Sequence, residues 1–378
     1  SSVGMRRVLR PLARHVSSLR PRLLSSTTGS SPLARSFLAD ATFTDLNVAP
    51  NLQTGLDRLY GKGAKVTETQ LMAMPAILET EDDVLLVAPT GSGKSVAFLI
   101  PILQKIDTRA DGIQALVLAP SRELAQQLHE AACTLAMFHP ARCSLVIGGV
   151  EMEEETQNLI RTRPHLLVAT PGRLMGHIQR TPNFTRALEG LRFYVLDEVD
   201  RFFEGSFDPE LSYIIGHINP QRTIACSATV SEEVRRIVTR TGRARFTEIT
   251  CDRALKPSIQ HEYLVHENGT FAGTLVAVLR AVTAEPGAKV LVFMPTTRLL
   301  QFTYVLLKHY LGLTFPMVAL HRRVTPDKRR AATAWFTSTD SGVLMATDLS
   351  ARGMDFPEVT TVVQVGAGDN AEAYVHRA

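Results

Sequence analysis

The 378-residue chain has few of the features that mark secreted or membrane-spanning proteins. Its four cysteines, Cys133, Cys143, Cys226 and Cys251, show neither the C-x-x-C spacing of a zinc site nor the density of a disulfide scaffold. They are therefore predicted to be buried or reduced thiols. No apolar run reaches the roughly 18 residues that a membrane-spanning helix needs, so the sequence argues against a membrane span.

Acidic residues are absent from the first 39 positions, which hold seven arginines and many serines. This composition is typical of a signal for import into the mitochondrial matrix, so residues 1–39 are interpreted as a presequence. A disordered basic tail that touches RNA directly is the alternative. Because the rest of the chain has 34 basic and 37 acidic side chains, any site for a polyanion must be local.

Short β-rich apolar runs alternate with longer helical segments, which predicts an α/β fold with parallel sheets covered by helices. Two such series imply domains at 40–250 and 259–378, with a linker at 251–258. Catalytic and ligand-binding residues are expected directly after the strands, because the functional sites of these folds lie at the carboxyl ends of the strands. The predicted strands are 83–88, 115–119, 144–147, 165–169, 193–196 and 223–226, followed by 259–265, 290–293, 317–320, 343–346 and 361–365.

A glycine-rich loop follows the first predicted strand and precedes a predicted helix. Its backbone N–H groups can curl around phosphates, while its lysine supplies a cation and its last hydroxyl a ligand for Mg²⁺. The general pattern begins with glycine, whereas this loop begins with alanine. The loop comprises Ala88, Pro89, Thr90, Gly91, Ser92, Gly93, Lys94 and Ser95.

Adjacent carboxylates follow the predicted strand 193–196, as Asp197, Glu198 and Asp200. At a strand end, Asp197 can hold Mg²⁺ through water and Glu198 can polarise an attacking water. Taken alone, the same residues could form the acidic first turn of a solvated helix. About thirty residues further on, the segment SAT at 227–229 follows another strand. Taken alone, this segment could be no more than a turn that caps a helix.

The order of these motifs resembles that of the DEAD-box RNA helicases of superfamily 2. The resemblance covers nearly everything after position 40 and implies two RecA-like doubly wound domains, ATP and Mg²⁺ as cofactors, and RNA bound largely independently of sequence. It assigns catalysis to Lys94, Asp197 and Glu198, with Ser95 and Asp197 on the metal. The matching motifs are APTGSGKS at 88–95, PSRELA at 120–125, GG at 148–149, TPGR at 170–173, DEVD at 197–200, SAT at 227–229, VFMPT at 292–296, TDLSARGMD at 347–355 and YVHR at 374–377.

Further roles are implied by the resemblance, position by position. The nucleotide-binding residues extend to Thr67, Gln70, Gly353 and Asp355, with Gln70 reading the adenine edge. The expected RNA contacts are Pro120, Arg122, Gly149, Thr170, Gly172 and Arg173 in the first domain, and Thr296, Arg329, Thr347 and Arg352 in the second. The residues expected to couple ATP to RNA are Asp200, Ser227, Thr229, His376 and Arg377.

The adenine-binding segment departs from the family pattern. Gly63 stands where the family commonly has the aromatic that stacks on adenine, and Val66 replaces a usual proline. Phe43 matches the upstream aromatic of the family with a longer spacing than usual. Tyr60 is a candidate for the stacking ring, and a packing role is its alternative. Val199 in DEVD keeps both working carboxylates, so activity is expected to survive.

The last motif stops early. His376 and Arg377 are present, but the glycine and further arginines of the family motif lie beyond Ala378, so the second domain is predicted to be incomplete and the chain a fragment of a longer active enzyme. A clamp that binds RNA without ATP turnover is the alternative. The segments RGMDFP at 352–357 and VTETQ at 66–70 look closest to mitochondrial members that act as RNA chaperones in intron splicing.

Overall fold

The computed structural model of the chain describes residues 7–8, 41–204, 207–242, 246–251, 260–265, 270–310, 315–348, 356, 358–366, 374 and 377. Two compact units divide the chain, Ser1–Arg253 and Ala254–Ala378. The boundary between them falls inside the segment 251–258. Each unit has its own parallel sheet and its own hydrophobic core.

The first unit is built on a sheet whose paired strands are all parallel. The strand order is β1-β8-β2-β7-β6-β3-β5-β4, so every carboxyl end lies at the same edge of the sheet. The strands are Arg7–Val8 (β1), Asp83–Val87 (β2), Ala115–Leu118 (β3), Cys143–Val146 (β4), Leu166–Ala169 (β5), Phe193–Leu196 (β6), Arg222–Ser227 (β7) and Phe246–Thr250 (β8).

Helices cover both faces of this sheet, because successive side chains of a strand point to opposite faces. Leu86 packs with Phe98 in one core, and its neighbour Leu85 packs with Tyr194 in the other. Strands that are buried on both faces consist of continuous apolar runs, and most of them could therefore be predicted from the sequence. The helices are Pro50–Tyr60 (α1), Glu68–Glu79 (α2), Lys94–Lys105 (α3), Arg122–Leu135 (α4), Met152–Thr162 (α5), Pro171–Arg180 (α6), Phe184–Ala187 (α7), Val199–Glu204 (α8), Asp208–Ile215 (α9) and Glu232–Thr241 (α10).

Polar caps fix where the helices of the first unit begin. The Ser121 hydroxyl accepts a hydrogen bond from the Leu124 N–H at 3.2 Å, and the Ser231 hydroxyl accepts one from the Val234 N–H at 3.3 Å. Each cap satisfies an N–H group that has no partner inside its helix. None of the helices in the described ranges is long and apolar enough to cross a membrane.

The second unit has a smaller parallel sheet, in the order β10-β11-β9-β12. Helices pack on both of its faces, with Val292 of β9 in one core and Phe293 in the other. The prediction of two doubly wound α/β units is therefore confirmed. Its elements are Phe271–Val282 (α11), Lys289–Met294 (β9), Thr297–Val305 (α12), Met317–Leu320 (β10), Pro326–Ser338 (α13), Gly342–Thr347 (β11) and Thr361–Gln364 (β12).

One strand prediction was wrong, and two strands of the first sheet were not predicted. Residues 260–265 were expected in a strand, but they have no regular structure, and the Tyr263 side chain is 93% exposed. Apolar alternation is insufficient for a strand, since its backbone N–H and C=O groups also need a hydrogen-bonding neighbour. Conversely, β8 was not predicted, because its polar residues Thr247, Glu248 and Thr250 made the segment resemble a loop. Strand β1 was not predicted either, because it lies in the segment interpreted as a presequence.

Candidate functional site

Three motifs meet where β2, β7 and β6 end side by side. The glycine-rich loop follows β2, the segment 227–229 closes β7, and the acidic segment 197–200 follows β6. Val87 is paired with Ser227, and the Ala88 N–H donates to the Ser227 carbonyl oxygen at 3.1 Å. The parallel sheet thus brings together segments that lie more than a hundred residues apart in sequence.

The glycine-rich loop has a backbone that suits it to binding an anion. Gly91 and Gly93 have φ values of 70° and 85°, which L-residues with side chains rarely adopt. Lys94 begins α3, and its Nζ donates to the carbonyl oxygens of Ala88 and Pro89, both at 2.7 Å. The ammonium is held at the mouth of a helix N-terminus, where phosphate groups are favoured. Ala88 has no positive φ, so alanine replaces the usual glycine without strain.

Thr67 and Gln70 fasten this loop to α2. The Thr67 hydroxyl donates to the Ser92 carbonyl oxygen at 2.7 Å, and Gln70 Nε2 donates to the Gly93 carbonyl oxygen at 3.4 Å. Gln70 Oε1 also accepts from the Thr67 N–H at 3.0 Å. A Cβ at position 93 would lie 2.4 Å from Gln70 Nε2, so only glycine allows this approach. Gln70 therefore supports the loop, and its reading of adenine stays a prediction.

The aromatic residues discussed for adenine binding lie next to each other. The rings of Phe43 and Tyr60 are stacked, with centroids 6.2 Å apart and an interplanar angle of 12°. Phe43 belongs to the core, whereas Tyr60 keeps 52% of its surface exposed. The Val66 N–H donates to the Ala41 carbonyl oxygen at 2.9 Å, which brings the upstream segment beside the start of α2 despite its longer spacing. The stacking role of Tyr60 on adenine remains a prediction.

The two carboxylates predicted to be catalytic, Asp197 and Glu198, occupy different environments. Burial, followed by the charge of Glu198, raises the pKa of Asp197 to about 7, and the charge of Lys94 opposes both effects. Asp197 Oδ1 accepts from the Glu198 N–H at 3.0 Å. Glu198 has a φ of 52°, a left-handed backbone that costs of order 1–3 kcal/mol in a non-glycine residue. Its Oε2 lies 2.8 Å from Arg201 Nη1.

These environments fit a divalent cation at Asp197. A nearby cation reverses the cost of ionising a buried carboxylate, and Ser95 on α3 is the hydroxyl-bearing residue of the neighbouring loop. The left-handed backbone of Glu198 lies just after β6, and the water-orienting role of its carboxylate stays a prediction.

Asp200 joins the acidic segment to the segment 227–229. Its Oδ2 accepts from the Ala228 N–H at 3.2 Å and from the Thr229 hydroxyl at 3.3 Å. The Thr229 N–H in turn donates to the Ser227 hydroxyl at 3.3 Å. The three predicted coupling residues of the first unit thus form one hydrogen-bonded network.

The predicted RNA contacts of the first unit lie beyond the ends of β3, β5 and β4. Pro120 is half-buried, and Arg122 is an exposed residue in the first turn of α4. A Cβ at Gly148 would lie 2.8 Å from Arg122 Nη2, and one at Gly149 would lie 2.9 Å from Nη1. The paired glycines therefore let the guanidinium rest directly on their backbone, where phosphate oxygens could reach it.

The segment TPGR begins α6 at the end of β5. Thr170 is its N-terminal boundary residue, and the Thr170 N–H donates to the Val146 carbonyl oxygen of β4 at 3.2 Å. Gly172 is exposed, and a Cβ there would meet no atom within 4 Å, so this helix start is open to a ligand. Arg173 Nε donates to the Ile147 carbonyl oxygen at 3.1 Å, which ties TPGR to the loop before the paired glycines.

Glu155 and His177, which were not predicted from the sequence, connect the segment TPGR with the loop before the paired glycines. Glu155 Oε1 accepts from the Ile147 N–H at 2.9 Å, while Oε2 accepts from His177 Nε2 at 3.0 Å and lies 2.7 Å from Arg173 Nε in an ion pair. His177 Nδ1 lies 2.8 Å from the Thr181 hydroxyl. Both residues are buried. The acidic run at 151–155 looked like a solvated helix start, so it gave no signal for this role.

In the second unit, the described candidates lie at strand ends and on one helix. The Thr296 hydroxyl accepts from the Leu299 N–H at 3.1 Å and starts α12 after β9. Thr347 is buried at the end of β11, and Arg329 is half-buried on α13. The candidates Arg352, Gly353, Asp355 and His376 lie outside the described residues.

Arg377 is bound within the second unit by Asp348. Its Nε and Nη2 lie 2.6 Å and 2.5 Å from the two carboxylate oxygens of Asp348, and its guanidinium lies 5.6 Å from the ring centre of Phe293. Sequence reasoning missed Asp348, although it follows Thr347 directly in TDLSARGMD. The predicted coupling arginine is thus attached to the strand that carries a predicted RNA contact.

Comparison with known proteins agrees with these arrangements. Residues 67–237 match the family described as DEAD/DEAH box helicase, and residues 273–378 match the helicase conserved C-terminal domain. The chain is 34% identical over 344 residues to the ATP-dependent rRNA helicase RRP3 of Meyerozyma guilliermondii, covering 89% of this chain and 69% of that protein. It is 34% identical over 352 residues to DEAD-box ATP-dependent RNA helicase 26 of Oryza sativa subsp. japonica, covering 90% of this chain and 64% of that protein.

Solved structures show the same relationship. The structure of Mss116p bound to ssRNA and AMP-PNP matches with a TM-score of 0.76 and 26% identity, covering 89% of this chain and 72% of that one. The coverage of relatives varies, since the chain spans only 41% of the ATP-dependent RNA helicase dbp4 of Sclerotinia sclerotiorum, to which it is 33% identical. The chain belongs to the family of DEAD-box ATP-dependent RNA helicases.

Proposed function

We propose that the chain binds ATP with Mg²⁺ and uses ATP hydrolysis to control its grip on RNA. One observation carries this proposal: the nucleotide motifs at β2, β7 and β6 and the RNA motifs at β3, β5 and β4 share one sheet edge. The two groups adjoin at the paired strands β6 and β3. RNA held in this way is bent away from duplex geometry, so short duplexes separate locally and the protein does not travel along the strand.

The motifs at the ends of β2, β7 and β6 form the nucleotide half of the sheet edge, and those at β3, β5 and β4 form the RNA half. Each residue of the nucleotide half would contribute a different part of ATP hydrolysis. Lys94 would neutralise charge on the β and γ phosphates, and Ser95 and Asp197 would hold Mg²⁺, which adds positive charge beside them. Glu198 orients the attacking water and takes up its proton. Within this half, Asp200 accepts a hydrogen bond from Thr229, so a shift in the acidic segment reaches the end of β7 directly.

RNA-stimulated ATP hydrolysis by the chain tests the proposal. We expect turnover to rise when single-stranded RNA is added, and to fall roughly a hundredfold or more in Lys94→Ala and Glu198→Gln. Lys105→Ala, on the same helix as Lys94, and Glu189→Gln, an exposed acid, are the matched controls and should behave like the unmodified chain. Robust turnover in Glu198→Gln refutes the catalytic assignment.

A passive RNA clamp is the second candidate, and the ion pair between the buried Arg377 side chain and Asp348 favours it. This arginine is 6% exposed, and its guanidinium is paired with the Asp348 carboxylate. The two candidates differ in one measurement. ATP-dependent retention of RNA without any RNA-stimulated turnover supports the clamp, and turnover under the same conditions eliminates it.

We further propose that residues 1–39 direct the chain to the mitochondrial matrix, where it remodels structured RNA in splicing or other RNA metabolism. Seven arginines and no acid support the targeting role. The comparisons support RNA remodelling only in general, because relatives such as RRP3 are named for rRNA.

A reporter experiment isolates the targeting claim. Residues 1–39 fused to a fluorescent protein should carry it into the matrix, and the same fusion with all seven arginines changed to glutamine should leave it in the cytosol. Equal matrix import of both fusions contradicts the proposal.

A further inference from the structure

The four cysteines fall into two pairs with different surroundings. All four are free thiols; Cys226 and Cys251 are buried, whereas Cys143 is only partly buried and Cys133 is exposed. The prediction of buried or reduced thiols holds for all four, since Cys133, although exposed, forms no disulfide. The different exposure of Cys133 and Cys143 could not be predicted, because Cys133 occupies an amphipathic helix and Cys143 begins a strand.

Cys133, Cys143 and His129 form a compact cluster on the surface of the first unit. His129 and Cys133 lie one turn apart on α4, and His129 Nε2 is 3.4 Å from the Cys133 sulfur. The Cys143 side chain is hydrogen-bonded to the same sulfur, and its backbone is hydrogen-bonded to His129. Two thiols ten positions apart are thus placed in contact, one facing solvent and the other packed against the core.

The contacts of the cluster favour a thiolate at Cys133. The hydrogen bond from Cys143, followed by that from His129, lowers the pKa of Cys133 to about 5, although burial opposes the shift. The same bond to Cys133, followed by burial, raises the pKa of Cys143. Burial is the largest single effect on the pKa of His129 and lowers it, but the hydrogen bond and charge of Cys133, the Cys143 backbone and the charge of Glu130 together outweigh it, so the net shift is upward. An exposed thiolate beside an imidazole is the arrangement of a reactive cysteine.

We propose that Cys133 and Cys143 form a peroxide-reactive dithiol, in which Cys133 attacks and Cys143 resolves, on the face of α4 and β4. The Cys133 thiolate attacks one oxygen of hydrogen peroxide; an S–O bond forms, the O–O bond breaks, and the departing hydroxide takes a proton to become water. The Cys143 sulfur then attacks the sulfenic acid; an S–S bond forms, the S–O bond breaks, and the hydroxide leaves as water with the Cys143 proton. Two thiols and one peroxide give one disulfide and two waters.

The disulfide would connect the two elements that carry predicted RNA contacts. Helix α4 begins at Arg122, and β4 leads through Ile147 to Gly148 and Gly149. These glycines already lie against the Arg122 guanidinium. The proposed chemistry does not depend on the proposed function, since it is read from the thiols themselves.

Peptide mapping of the full chain tests the proposal without any mutation. Trypsin cleaves after Arg142, between the two cysteines, so the disulfide would join peptide 123–142 to peptide 143–161. After treatment with a small excess of hydrogen peroxide and alkylation of the remaining thiols, we expect this linked pair. The buried thiols of Cys226 and Cys251 serve as internal controls and should be consumed at least about tenfold more slowly.

Variants assign the separate roles. Cys143→Ser should leave a Cys133 sulfenic acid that dimedone captures and no linked pair, while His129→Gln should slow the loss of the Cys133 thiol roughly tenfold. His217→Gln, a histidine outside the cluster, is the matched control and should react at the unmodified rate. Three results overturn the proposal: Cys133 and Cys226 consumed at equal rates, a disulfide between two chains, or an unchanged rate in His129→Gln.

Discussion

The nucleotide half and the RNA half of the first sheet share one edge but differ in where their working groups lie. In the nucleotide half, the charged side chains of Lys94, Asp197 and Glu198 are buried, so solvent screens the interactions between their charges only weakly. In the RNA half, Arg122 and Gly172 are exposed, and the buried Glu155 and His177 beneath them are hydrogen-bonded to each other. Chemistry on a phosphate needs preorganised charges shielded from water, whereas a grip on a long polyanion needs exposed charges on a firm base.

Asp197→Asn should separate the two halves most sharply. Loss of the buried negative charge removes the residue expected to hold Mg²⁺, so ATP turnover should fall roughly a thousandfold. Binding of single-stranded RNA without nucleotide should stay unchanged, because Asp197 does not belong to the RNA half. The exposed acid Asp111 provides the control variant, Asp111→Asn. Parallel loss of RNA affinity in Asp197→Asn would show that the two halves are not independent.

Glu155→Gln tests the support beneath the RNA half. An amide can still accept from the Ile147 N–H, but it presents an NH₂ group or a neutral oxygen to Arg173 and His177. We expect the free energy of unfolding to fall by about 2 kcal/mol, together with weaker RNA binding. Chemical denaturation and RNA titration measure the two effects.

Glu154→Gln, on the same turn of α5 but exposed, is the matched control and should change neither quantity. If Glu155→Gln loses stability and binds RNA normally, the network is structural and does not position the RNA contacts.

Glu155 also shows where sequence reasoning reached its limit. The loop at 88–95 and the acids at 197–200 could be placed from sequence because their motifs follow apolar strands directly, and parallel pairing then determines their neighbours. Glu155 pairs with His177 across 22 positions, and its neighbours Glu153 and Glu154 are solvated. A single sequence gives no means of distinguishing the one buried glutamate of such a run, since its burial depends on tertiary contacts.

Arg122→Ala examines the exposed side of the comparison. Removal of one guanidinium that rests on Gly148 and Gly149 should weaken RNA binding about tenfold, with ATP binding unchanged. Arg180→Ala, at the exposed end of α6, should change RNA affinity far less, because it lies away from the carboxyl edge. Equal losses in both variants would show that RNA affinity reflects overall charge, and Arg122 would lose its assigned role.

The smallest expected effect concerns pH and appears only in the nucleotide half. Since burial raises the pKa of Asp197 to about 7, its carboxyl is partly protonated at neutral pH, and Mg²⁺ must displace that proton. Mg²⁺-dependent ATP binding should therefore strengthen by up to about tenfold as pH rises from about 6 to 8, and weaken again as pH falls. The measurement is a Mg²⁺ titration of fluorescent-nucleotide binding at several pH values. Asp197→Asn should abolish the pH dependence, and RNA binding without nucleotide should not show it. A pH dependence that persists in Asp197→Asn would assign the titrating group elsewhere.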